Sequence, residues 1–273
     1  FYADRVAQFP VGIFSVALAS VLLPMLANAS ANSNADQFRT GLANSLRFTS
    51  FAIIPMAGGI WVLAVPLTSL LFERGAFTHH STIMTAAAIQ ALAIGLWASS
   101  CYSMVMRAFI AKKDTVTPTL IGVCSLMVYL ASALILMGPV NPSAGSMATM
   151  IAAIQNALYS CIPPFAAQGH VGLALASSIG ALFSLLLAII IYTVKLSNFP
   201  WGAFSRSLAT SVAASCVMIG AVRLGTPFEG SPLTTTIMGT IIGAITYVFS
   251  SIILRSREMN ETLGLLRQKL IRK

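Results

Sequence analysis

The chain has 273 residues and a net charge of +9, yet only 8% of its residues are charged and 57% are hydrophobic. Soluble domains carry roughly 25% charged residues, so a mean hydropathy of +0.85 excludes an ordinary soluble domain and indicates an all-α polytopic transmembrane bundle. The basic residues stand between apolar runs and in the tail rather than along one stripe, which excludes a nucleic-acid partner and marks them as membrane-flanking charges.

Seven apolar segments are expected to cross the membrane, at about 6–27, 44–72, 83–108, 118–138, 171–194, 205–224 and 233–254. The first follows "FYADRVAQFPVGIF", where Asp4 and Arg5 precede a run without charge from Val6 to Ala27. A charge at the bilayer edge is costly. From the residues alone, Arg5 is an interfacial arginine snorkelling to the head groups, and Asp4 caps the helix start. Pro24, Pro55 and Pro66 mark kinks in or near the first two segments.

"FERGAFTHH" then offers Glu73, His79 and His80. Adjacent histidines cannot share a helix face, so this is no H-E-x-x-H zinc site, and Glu73 with Arg74 reads as an interfacial pair. The fourth segment starts after "KKDTVTP", with Pro118 in its first turn. The connection at about 141–168 has no Lys, Arg, Asp or Glu. Met147, Met150, Ile151, Ile154 and Leu158 recur there at helical spacing, which predicts a short helix, either interfacial, lying on the membrane or capping a cavity, or an ordinary loop helix packed on its neighbours. "SVALAS" and "GLALASSIGALFS" carry small residues that let helices approach closely. The tail from Leu254 reads as a basic amphipathic helix or a solvated end.

With the tail inside, thirteen basic residues fall on the inner side and three, Arg5, Arg74 and Arg223, on the outer side. The C-terminus is therefore expected to be cytoplasmic. Cys101, Cys124, Cys161 and Cys216 lack metal or redox spacing. No nucleophile elbow, phosphate loop or paired intramembrane carboxylate is present. An enzyme, a metal and a cofactor are not expected. The chain reads as incomplete at its N-terminus. Physical reasoning then leaves a transporter, a channel or a membrane scaffold open.

"YADRVAQFPVGIFSVALASVLLPMLA", "PLTSLLFERGAFT", "RAFIAKKDTVTPT" and "GHVGLALASSIG" resemble, in this order and spacing, the MurJ (MviN) family of bacterial lipid II flippases. The resemblance covers nearly the whole chain except the 141–168 insert. It implies the last seven of fourteen helices in an inverted-repeat exporter. Residues 1–196 would then form second-lobe helices, and 197–273 an appended helix pair with a basic tail. It further implies that Arg5 faces a central cavity and binds the pyrophosphate-linked head group of lipid II, with Asp4 and Gln8 beside it. Between the appended helices, around Ala213 and Gly243, it implies a groove for the polyprenyl tail. The first lobe of the same protein and membrane lipids would be partners, and the location a bacterial inner membrane. Ala133 stands where some members carry a sodium-binding asparagine, which argues against that coupling. Competing readings are another lipid-linked saccharide or drug exporter, or a non-transporting truncated scaffold.

Overall fold

The computed structural model describes residues 2–32, 34–138, 146–161, 169–196, 199–227 and 230–259, except the side chains of 10, 13, 15–19, 21, 146–147, 156–161 and 196. Within these, the helices in chain order are α1 (Tyr2–Ala31), α2 (Ala35–Val62), α3 (Ala64–Phe72), α4 (His79–Ala111), α5 (Val116–Leu136), α6 (Ser146–Cys161), α7 (Gly169–Leu196), α8 (Trp201–Gly225) and α9 (Pro232–Ile253). No strand occurs among the described residues. Six helices, α2, α4, α5, α7, α8 and α9, are long and apolar enough to cross a membrane. α1 has 30 residues, about 45 Å at the helical rise. The all-α membrane bundle expected from composition is the observed architecture.

The single segment expected at 44–72 is broken in the structure. α2 begins earlier, where the Asn34 side chain accepts a hydrogen bond from the Gln37 N–H. It ends at Val62, and α3 resumes at Ala64 after Leu63, whose φ is −96° and ψ 11°. Proline has no N–H, and its ring crowds the carbonyl four residues back. Pro66 thus removes the bond to Val62 and separates the two helices. Pro55, by contrast, stays within α2.

α4 is the axial helix. α1, α2, α3 and α7 pack around it, α5 packs outside α7, and α8 and α9 lie against α2 and α3. The largest buried cluster gathers Leu26, Leu42, Leu46, Val105, Phe109, Ile121, Leu185 and Tyr192 at one end of the bundle. That end holds the C-termini of α1, α4 and α7 and the N-termini of α2, α5 and α8. Aromatic rings close it: Phe109 meets Tyr192 at 6.4 Å, Tyr192 meets Phe199 at 6.0 Å, and Phe199 meets Trp201 at 4.7 Å. Each such pair adds roughly 0.5–1.5 kcal/mol beyond area burial. The opposite end is sealed by smaller groups, among them Ala64, Ala86 and Ile89 with Ala3 and Val6.

Small residues bring α4 and α7 together. The Ser178 hydroxyl donates to the Ala91 carbonyl at 2.6 Å and accepts from the Gly95 N–H at 3.1 Å. The helix predicted at about 141–168 is present as α6. Among its described side chains Ala152 and Gln155 are buried, whereas Met150 and Ile154 are exposed. Gln155 donates from Nε2 to the carbonyls of Leu134 and Gly138, both at 2.9 Å. The Gln155 amide thus ties α6 to the end of α5, and Met150 and Ile154 of its apolar stripe point away from the bundle. The expected positions Met147 and Leu158 carry side chains outside the described residues. The tail helix expected beyond Leu254 also lies outside them from residue 260 onward.

Candidate functional site

α1 presents one face to the bundle and another away from it. Ala3 and Val6 pack on Ala64, Ala86 and Ile89, and Ala7 packs on Ile53 and Leu96. At 3.6 residues per turn, this directs Asp4, Arg5, Gln8, Phe9 and Gly12 to the opposite side. All five are exposed, Phe9 by 69%. Gln8 Nε2 donates to Asp4 Oδ2 at 2.7 Å. The structure therefore brings the three predicted residues onto one open face. It gives Gln8 to Asp4, an i,i+4 pair, and leaves Arg5 one position round the helix.

The loop after α3 fixes the start of α1. Tyr2 packs on Phe72 in a tilted pair at 4.9 Å and meets Phe77 edge-on at 5.5 Å. Gly75, in the "ERGAF" turn, has φ +57°, a left-handed conformation that glycine adopts without a Cβ penalty. Glu73 Oε2 accepts from the Thr82 hydroxyl at 3.0 Å, and Glu73 Oε1 lies 3.3 Å from His79 Nδ1. A hydrogen bond from Ser69, with those from Thr82 and His79, holds the Glu73 carboxyl below its ordinary range. The residues of this motif are thus tied up in shaping the turn beside α1.

The "KKDTVTP" motif is likewise structural. Lys195 donates to Asp114 Oδ2 at 2.8 Å, and Thr117 donates its N–H to Oδ1 at 3.0 Å. Lys195 first, then the Thr117 N–H and hydroxyl, hold the Asp114 carboxyl well below the usual carboxylate range. One aspartate both caps α5 and ties it to α7.

The most enclosed charges were not singled out from sequence. Arg47 and Glu258 have side chains only 6% and 1% exposed. Arg47 Nη2 and Nε reach Glu258 Oε1 at 2.6 and 2.8 Å, and the Ser207 hydroxyl donates to the same oxygen at 2.7 Å. Burial pushes the Glu258 carboxyl up, but Ser207, its own backbone N–H and Arg47 outweigh it and hold the group below its ordinary value. The signal in the sequence was an arginine inside the segment expected at 44–72. Its partner, 211 positions away, was read as part of the tail.

Ala213 and Gly243 are not brought to one level. Ala213 is exposed on α8. Gly243 is buried in the α8–α9 contact, where an added Cβ would meet Val222 at 3.3 Å and Met218 at 3.7 Å. Those residues lie five to nine positions beyond Ala213, about 8–13 Å along the helix. At Gly243 the missing side chain serves close packing, the alternative that small residues always carry.

Residues 1–162 match the family model for the lipid II flippase MurJ. The chain belongs to the MurJ family. A probable lipid II flippase MurJ from Rhizobium meliloti is 34% identical over 157 residues, 58% of this chain and 29% of that protein. One from Thermotoga maritima is 27% identical over 262 residues, 96% of this chain and 46% of that protein. A solved structure of the lipid II flippase MurJ in an inward closed conformation superposes with a TM-score of 0.70 over 93% of this chain and 46% of its own, at 24% identity. The chain thus spans less than half the length of these MurJ relatives. The matched residues of the MurJ family model include Asp4, Arg5 and Gln8, and exclude α8 and α9.

Proposed function

We propose that this chain is the second lobe, with two appended helices, of a flippase that moves lipid II across a bacterial inner membrane. The observation that carries this reading is the open polar face of α1, where Arg5 stands exposed beside the Asp4–Gln8 pair. A guanidinium offers planar, permanently charged donors that fit a pyrophosphate in bidentate fashion. Arg5 lies on the surface of this bundle; a first lobe packed against that face would enclose a water-filled cavity, which would lower the cost of its charge. The relative rocking of the two lobes would expose that cavity to one leaflet and then the other. The bias of basic residues supports a cytoplasmic C-terminus. Along α8 and α9 the prenyl chain would lie on the exposed side that includes Ala213, with Gly243 holding the two helices together.

Complementation of a flippase-depleted strain by the intact protein tests the proposal. Losing a charge-assisted contact costs roughly 1.5–3 kcal/mol, about tenfold or more in affinity. Arg5→Ala should fail or grow poorly at normal membrane levels, and Arg5→Lys should be partly defective. Full growth with Arg5→Ala at normal expression refutes the role of Arg5.

A further inference from the structure

A cavity of about 540 Å³ opens beside the buried Arg47–Glu258 pair, between the start of α8 and the turn that follows α9. Its walls carry four arginines, Arg47, Arg206, Arg255 and Arg257, and one carboxylate, Glu258. Arg47 is committed to Glu258. Arg206 and Arg255 are exposed and make no ion pair among the described residues. The backbone at the start of α8 adds to this field. Gly202 and Ala203 line the cavity within the first turn, where N–H groups have no intrahelical acceptor and the helix end is positive.

Arg255 holds a left-handed conformation, φ 49°, outside helical geometry and unusual for a residue with a side chain. Glycine would suit that backbone better. The arginine there places a guanidinium in the wall of the cavity. Leu254 lines the cavity and is exposed, and Trp201 and Ile253, exposed by 42% and 64%, adjoin the lining residues Gly202 and Leu254 in the chain. An anion held here lies at the end of membrane-spanning helices, at the depth of lipid head groups.

We propose that this cavity is a binding site for a phosphate ester, recognised by Arg206 and Arg255 with the α8 N-terminus, and that its natural source is the head group of an anionic membrane phospholipid. The site lies on the appended helices, apart from the α1 face, and does not depend on the flippase reading. Arginine forks and helix N-termini both match phosphate oxygens. The volume falls within the usual range for small-ligand sites, about 300–1,000 Å³.

Lipid retention by the intact protein provides the test. Wild type and the double variant Arg206→Gln/Arg255→Gly are purified with phosphatidylglycerol or phosphatidylcholine, and bound lipid is counted by native mass spectrometry. Glycine relieves the backbone at 255, so the double variant should melt no lower than wild type. Wild type should hold phosphatidylglycerol at least about tenfold more tightly than the variant, and phosphatidylcholine equally in both. Inorganic pyrophosphate distinguishes the sources. Pyrophosphate binding that wild type shows and the double variant loses, without selectivity for phosphatidylglycerol, would support the phosphate site but assign it a soluble ligand. Equal phosphatidylglycerol retention and equal pyrophosphate binding by both proteins overturn the proposal.

Discussion

Replacing Glu258 by alanine should detach the α8–α9 pair from the rest of the bundle. Glu258 Oε1 accepts three hydrogen bonds, two from Arg47 and one from Ser207. Unit charges about 4 Å apart attract by about 4 kcal/mol at an effective dielectric of about 20. Desolvation offsets much of that in the intact pair, but not when one partner is removed. Alanine would leave the Arg47 guanidinium, 6% exposed, with the side-chain Oδ1 of Asn44 at 3.3 Å as its one remaining acceptor among the described residues. Breaking a buried pair in this way costs about 3–5 kcal/mol, which corresponds to a fall of roughly 6–20 °C in melting temperature for a chain of this size. Glu258→Ala should also expose the connection before α8 to limited proteolysis. The double variant Arg47→Met/Glu258→Leu should recover most of the loss, since two apolar groups leave no buried charge. A melting temperature for Glu258→Ala within about 2 °C of wild type, about 1 kcal/mol or less, would refute this account of the pair.

Two further outcomes follow from the geometry. The Asp114 carboxyl is held well below the unfolded value of about 3.9, so its contribution is present above that value and is lost as pH falls through the lower folded value. The stability gap between wild type and Asp114→Asn should be open at pH 7 and narrow below about pH 4, measured by thermal melting across pH. Gly95→Val should destabilise by about 1–3 kcal/mol or more, because a Cβ at this position comes within 2.6 Å of the Ser178 Cα in α7. Gly12→Ala, where nothing lies within 4 Å, should melt like wild type in the same assay.

What the sequence revealed and what it hid divide along the range of the interaction. Membrane crossing is a property of runs of residues, so the bundle was legible from composition and spacing. That Asp4, Arg5 and Gln8 share a face follows from their spacing within two turns of one helix, whereas a face turned to a cavity was implied only by the family resemblance, the residues alone reading as an interfacial arginine. The break at Leu63 was hidden because the apolar pattern runs on through it, and only the missing N–H of Pro66 marks the place. The Arg47–Glu258 pair depends on the packing of α8 against α2, which no local pattern records. Gly243 shows a third limit: a small residue is compatible with a groove or with its absence, and the neighbouring helix decides.

The attachment of α8 and α9 has a mechanical consequence. α2 is held at three heights. Arg47 binds Glu258 near its middle, the Phe51 carbonyl accepts from the Tyr247 hydroxyl at 2.6 Å one turn on, and Leu63 just past its end fills the place a Gly239 side chain would take. The fixings extend over 16 residues, about 24 Å of helix. Fixings at three heights oppose tilting of α8 and α9 against α2 and sliding along it, since either motion breaks at least one of these contacts. A tilt or shift of α2 should therefore carry α8 and α9 with it.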